Sequence, residues 1–144
     1  MRHILRRREG IEALVVPFAE FLGNPAKWRA YDGPLGVLVG PTDKVEDLAR
    51  DIARLSLVVV DFPTFNDGRG YSQARILRTR LHFQGELRAT GVVKQDHLFF
   101  MARCGFDSFE LAPGENVEEA TRALRRFTVN YQQQRFSAWV TRYP

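Results

Sequence analysis

The stretch Leu57 to Arg80, LVVVDFPTFNDGRGYSQARILRTR, constrains the fold more than any other, because it passes from apolar β-formers through a Pro/Gly/Asp loop into an arginine-studded helical pattern. A strand that is apolar at every position, as Leu57 to Val60 is, calls for cover on both faces and belongs at the centre of a parallel sheet. The loop Phe62-Pro63-Thr64-Phe65-Asn66-Asp67-Gly68-Arg69-Gly70-Tyr71-Ser72 follows it. Ala74, Leu77 and Leu81 then mark one buried face of a helix over Tyr71 to Leu81.

The same alternation continues on both sides. Leu35 to Val39 reads as a strand, and Asp43-x-x-Glu46 has the form of a capping box ahead of Val45, Leu48, Ile52 and Leu55 at helical spacing. Glu86 to Thr90 is a third, more polar strand. Gln95 to Arg103 is a third helix that buries Leu98, Met101 and Ala102, with Gly105 placed for a left-handed C-terminal cap. Ser108 to Leu111 is a fourth strand, and Asn116-x-x-Glu119 caps a fourth helix with Val117, Ala120, Leu124 and Phe127 inward. Four successive strand-helix units predict an α/β fold with a parallel sheet of four to five strands joined by right-handed crossovers. An open three-layer sheet and a half-barrel both satisfy the pattern. The open sheet is favoured, because the concave face of a lone half-barrel needs a partner.

Ile11 to Leu22 is apolar but broken by Pro17, which predicts a short strand and then a helical turn. Gly23-Asn24-Pro25 and Tyr31-Asp32-Gly33-Pro34 are turn punctuation around Trp28, expected as a lid on the core. The chain of 144 residues thus suits one domain: an irregular segment over 1–33, regular repeats over 34–130 and a tail over 131–144. The tail keeps Phe136, Trp139 and Tyr143, which either fold back over the core or form a contact surface for a second copy or another protein.

A formal charge of +4 is spread along the chain, which suits small anions as well as nucleic acid. No helix-turn-helix or aromatic stacking motif accompanies the charge, so a nucleic-acid partner is not expected. Arg2, Arg6, Arg7 and Arg8 precede Glu9 and Glu12 and read as a solvated terminus. No run approaches the roughly 18 apolar residues of a membrane span, and MRHILRRREG lacks a hydrophobic signal core. Cys104 is the single cysteine, which excludes an intrachain disulfide and makes the cytoplasm the expected compartment.

Ligands of parallel α/β folds gather at the carboxyl ends of the strands, where helix N-termini attract anions. The candidate oxyanion site is Asp67, Arg69, Tyr71, Ser72, Arg75 and Arg88, with Thr90, Gly91, Gln95 and Asp96 as a second loop. Sulfate, sulfite, phosphate or a carboxylate would fit the guanidinium forks. The competing account has Asp67 capping the helix and pairing with Arg69, and leaves Arg75 and Arg78 solvated. Gly68-x-Gly70 lacks the third glycine of a dinucleotide fingerprint, and the P-loop lysine is missing, so no cofactor is expected. His3, His82 and His97 lack metal-ligand spacing to one another or to Cys104. No metal ligand or catalytic residue is assigned. His97 is expected to face solvent and Cys104 to be a core thiol.

FPTFNDGRGYSQARILR and GELRATGVVKQDHLFFMARCGFDSFEL resemble a bacterial domain family of unknown function, family 934, whose members read approximately F-x-x-F-x-D-G-R-G-Y-S-x-A-x-x-L-R, G-E-L-R-A-x-G and D-Q-x-x-F-x-x-R-C-G-F-D-x-F. The resemblance covers Pro34 to Tyr131 and is most specific over Phe62 to Phe109. Members of that family carry the label of an oxidoreductase of sulfite reduction. The resemblance therefore implies a cytoplasmic protein of assimilatory sulfur metabolism acting near a sulfite reductase, and it brings no catalytic residues with it. Asp96-His97 stands where the family shows Asp-Gln, and the tail runs past the family's usual end. A multi-electron reductase must hold an electron carrier, for which no cysteine set, flavin or nicotinamide motif is present. The expectation is an accessory, anion-binding protein of sulfite and sulfate reduction. Its alternatives are an oxidoreductase of the same pathway with an unrecognised cofactor and a non-catalytic adaptor.

Overall fold

A computed structural model describes residues 2–6, 12–64, 66–130 and 139–143. The expectations for Phe65, for the inward side chain of Phe127 and for the aromatic tail fall outside the residues and side chains described. The elements in chain order are β1 (Arg2–Arg6), β2 (Leu14–Pro17), α1 (Phe18–Gly23), α2 (Pro25–Ala30), β3 (Leu35–Val39), a 3₁₀ segment Val45–Arg54 and β4 (Leu57–Phe62). They continue with α3 (Arg69–Arg75), which runs into a π-helical turn Ile76–Arg80, then β5 (Glu86–Gly91), a 3₁₀ turn Gln95–His97, α4 (Leu98–Cys104), β6 (Ser108–Glu110), α5 (Val117–Asn130) and β7 (Trp139–Tyr143).

The fold is α/β with a mostly parallel sheet. Its order is β2-β3-β4-β5-β6-β1-β7, seven strands among the described residues. Neighbours from β2 to β6 are parallel, whereas β1 is antiparallel to both β6 and β7. These two antiparallel strands carry the sheet beyond the four to five expected. The arginines around β1 hide a strand signal that Ile4 and Leu5 supply, since these side chains are only 1% and 0% exposed on opposite faces. That part of the terminus is a paired strand and not the solvated arm its charge suggests.

Spatial order follows chain order from β2 to β6, so every right-handed crossover steps the same way and lays its helix on the same face. The burial pattern agrees. Leu35, Val37 and Val39, with Val58, Val60 and Phe62, and with Leu87, Ala89 and Phe109, share one core with Leu48, Ala74, Leu77, Leu98, Met101 and Leu124 from the helices. The intervening residues Gly36, Leu57, Val59, Glu86, Arg88, Ser108 and Arg6, matched in register, point to the other face. The favoured three-layer arrangement is therefore corrected. A doubly wound sheet needs a reversal of strand order, and β2 to β6 contain none, so the connectivity is that of the half-barrel alternative with helices on one face.

Local signals are partly honoured. Gly105 adopts φ 112° and caps α4 as expected. Glu119 N–H donates to Asn116 Oδ1 at 3.0 Å, the forward half of the expected box. Asp43 does not cap the segment after β3, because its Oδ2 accepts from Gly40 N–H at 2.7 Å and Lys44 takes the cap position. That segment winds as 3₁₀, with Val45 and Leu48 as its buried positions three residues apart, the repeat of that helix. Trp28 closes the core as expected and is buried, its Nε1–H donating to Glu20 O at 3.2 Å.

Candidate functional site

The loop after β4 delivers α3 directly against Phe62. A Cβ on Gly70 would fall 2.4 Å from the Phe62 ring, so the helix can start at this height only with glycine there. On α3 the exposed positions Arg69, Ser72 and Arg75 follow one i, i+3 row, while Gln73, Ala74 and Leu77 turn inward. Gln73 Nε2 donates to Gly40 O at 2.8 Å and Asp43 O at 2.9 Å, tying α3 to the loop after β3.

Asp67 is committed locally. Its Oδ2 lies 2.6 Å from Arg69 Nη2, and its Oδ1 accepts Arg69 N–H at 3.0 Å. Hydrogen bonds from the Arg69 side chain and backbone lower the Asp67 carboxyl to about 2. This is the pairing anticipated by the competing account, although Gly68 and not Asp67 occupies the helix cap. In a carbon-detected NMR titration Asp67 is expected to stay ionised down to about pH 2 and to return toward the ordinary carboxylate range in Arg69→Ala. Because the native value is depressed, the pair supports the fold above that range and loses its contribution as the pH falls through about 2. An unchanged titration in Arg69→Ala would refute the pairing.

Tyr71 departs from the exposed row. Its ring packs 5.1 Å from Phe62 and 4.9 Å from Phe100, and Phe62 in turn meets Phe106 at 5.7 Å. Burial raises the Tyr71 hydroxyl pKa. Phe100 ends this aromatic ladder at the surface, where it is 47% exposed. Phe100 is absent from the expected site, yet its signal is local: with Leu98 and Met101 inward, an aromatic at position 100 falls on the outer side of α4.

Arg88 is not brought to this loop. It lies on the face of β5 away from the helices, with the sheet between it and Arg69. Its Nη2 donates to Glu86 Oε2 at 2.6 Å, its Nε reaches the same oxygen at 3.1 Å, and Ser108 Oγ donates to that oxygen at 2.9 Å. Arg6 Nε lies 3.9 Å from the same atom. Glu86, Ser108 and Arg6 were absent from the expected site because cross-strand neighbours cannot be read before the register is known.

The second loop divides likewise. Thr90 shares the face and strand of Arg88, and its register partner is Asp61. The Asp61 carboxyl is partly buried, and that burial raises its pKa. Gly91 has φ 93°, and Gln95 N–H is taken by Glu115 Oε1 at 2.7 Å. Asp96 is exposed and His97 half-buried. Arg78 is not solvated. It donates to the carbonyls of Gly105, Phe83 and Gly85 and to Asp107 Oδ2, while Asp107 Oδ1 accepts from Leu87 N–H. Cys104 is buried, as expected of a core thiol.

Among the described residues no group of three or more His, Cys, Asp and Glu comes together in a way that could hold a metal ion. No helix there is long and apolar enough to cross a membrane. Residues 36–139 match the family described as Bacterial protein of unknown function (DUF934). The chain belongs to this family. No curated protein and no solved structure matches it. The DUF934 region encloses the α3 row, the aromatic ladder, Asp61, Glu86, Arg88 and Thr90, whereas β1 with Arg6 precedes it.

Proposed function

We propose that this DUF934 protein is a cytoplasmic accessory component of assimilatory sulfite reduction, which recognises a small oxyanion along α3 and docks beside it on a sulfite reductase. The observation that carries this reading is the exposed Phe100, packed edge-on against Tyr71, next to the exposed row Arg69, Ser72 and Arg75. Exposed aromatics beside arginines have the composition of protein-contact hot spots. The fork of Arg69 is oriented by the half-buried Asp67 carboxylate while the guanidinium itself stays exposed, where a charged ligand can compete for it. The sulfur pathway enters through the family resemblance.

Calorimetry with sulfite, sulfate and phosphate is expected to give binding to the wild type that weakens about tenfold or more in Arg69→Ala/Arg75→Ala, the loss appropriate to charge-assisted hydrogen bonds. Phe100→Ala is expected to abolish co-purification with the sulfite reductase of the same cell while leaving the circular dichroism spectrum unchanged. Co-purification that survives in Phe100→Ala, together with anion binding indifferent to the two arginines, would end this proposal.

A further inference from the structure

We infer that the sheet face opposite the described helices, toward the carboxyl ends of β4 and β5, is a separate binding site for a small oxyanion that still carries a proton, formed by Arg88 Nη1, the Thr90 hydroxyl and the Asp61 carboxyl. The anchor is Arg88, whose side chain is 9% exposed. Its Nε and Nη2 are fixed on Glu86 Oε2, and its Nε lies 3.4 Å from Ser108 Oγ. Nη1 makes no hydrogen bond among the described residues. A guanidinium held on one side and unspent on the other is pre-oriented to donate, so little side-chain freedom is lost when an anion arrives.

Thr90 follows two residues later on the same face, about 7 Å along the strand. Asp61 stands beside Thr90 in register, one strand spacing of about 4.8 Å away. A tetrahedral or pyramidal oxyanion with a hydrogen bond on each side bridges distances of this order. Gly91 keeps the approach clear, since a Cβ there would fall 2.7 Å from Asp61 Oδ1.

The three groups make different demands. Arg88 and Thr90 donate to oxygens that carry charge or lone pairs. Asp61 as a carboxylate only accepts, so it repels a fully deprotonated anion and rewards one that presents a hydroxyl. Hydrogen phosphate and hydrogen sulfite meet all three demands. Sulfate brings no proton at neutral pH and leaves Asp61 facing bare oxygen. Specificity of this kind arises from the penalty imposed on the wrong ligand.

The α3 reading is not needed for this site, and the test is made where the two are separable. In the Arg69→Ala/Arg75→Ala background, calorimetry with inorganic phosphate, sulfite and sulfate is expected to show phosphate and sulfite binding at least about tenfold tighter than sulfate. Thr90→Val, which leaves the Glu86 to Arg88 pair in place, is expected to weaken phosphate about tenfold. Asp61→Asn is expected to admit sulfate and close the gap. Arg88→Gln should abolish binding, and the other two variants decide the matter if it fails to fold. The site is refuted if that background binds none of the three anions, if it binds sulfate as well as phosphate, or if Thr90→Val and Asp61→Asn leave the affinities unchanged. Binding by the wild type that vanishes in the background also refutes it, and leaves the α3 reading standing.

Discussion

Glu86→Ala is expected to lower the unfolding free energy by about 3 to 5 kcal/mol, the usual consequence of removing one partner from a buried ion pair. Glu86 Oε2 accepts from Arg88 and from Ser108, and all three residues are buried. Without that carboxylate the Arg88 guanidinium keeps its desolvation and loses its compensation. Urea denaturation should show a lower midpoint with little change in slope. The double variant Glu86→Met/Arg88→Met should recover most of the loss, because an apolar pair of similar volume avoids the desolvation of both ions. A loss below about 1 kcal/mol in Glu86→Ala would mean that the cluster behaves as a solvated surface pair.

The second large effect falls on Gly91. Its φ of +93° lies where an L side chain is strained, and a Cβ there would meet Phe62 O at 2.4 Å. That carbonyl accepts Val92 N–H at 2.7 Å, so it is pinned and cannot step aside without breaking the turn after β5. Strain of roughly 1 to 3 kcal/mol from the backbone alone, plus displacement of a buried strand end, makes Gly91→Ala worth about 3 kcal/mol or more of destabilisation. Gly68 is the control, with φ −82° and nothing within 4 Å of its Cβ position. Gly68→Ala should change stability by less than about 0.5 kcal/mol. Equal thermal midpoints for the two variants would show that the turn after β5 is loosely held.

The parallel part of the sheet was legible because its cause is local. Fully apolar runs such as Leu57 to Val60, and caps such as Gly105, announce themselves within a few residues. Other features depend on partners far along the chain. β1 hides in the sequence because two arginines and a histidine in five residues outweigh two apolar ones until β6 is known to lie beside them. Arg78 looks solvated in the sequence because the carbonyls it holds, at Phe83, Gly85 and Gly105, belong to turns whose proximity follows only from the packing of α3 against α4. Residue type alone groups Arg88 with Arg69, and the one-face placement of the helices separates them. The choice between three layers and two turned on strand order, which periodicity within a single strand does not encode. The α3 row was readable from i, i+3 spacing, whereas the Glu86, Arg88 and Ser108 cluster needed the register.

The pairing of Ile4 with Glu110 also has a kinetic meaning. Strands β2 to β6 join nearest neighbours in the chain, so that part of the sheet can assemble one unit after another with small loops. β1 must close a loop of about a hundred residues, an entropic charge of roughly 4 kcal/mol that is met only once β6 exists as a template. The edge of β6 is consequently bare until late in folding, and an unpaired edge is where a neighbouring chain can add a strand of its own. Arg6 joins the Glu86 carboxylate in that same final step, which makes its arrival a natural marker of the finished molecule.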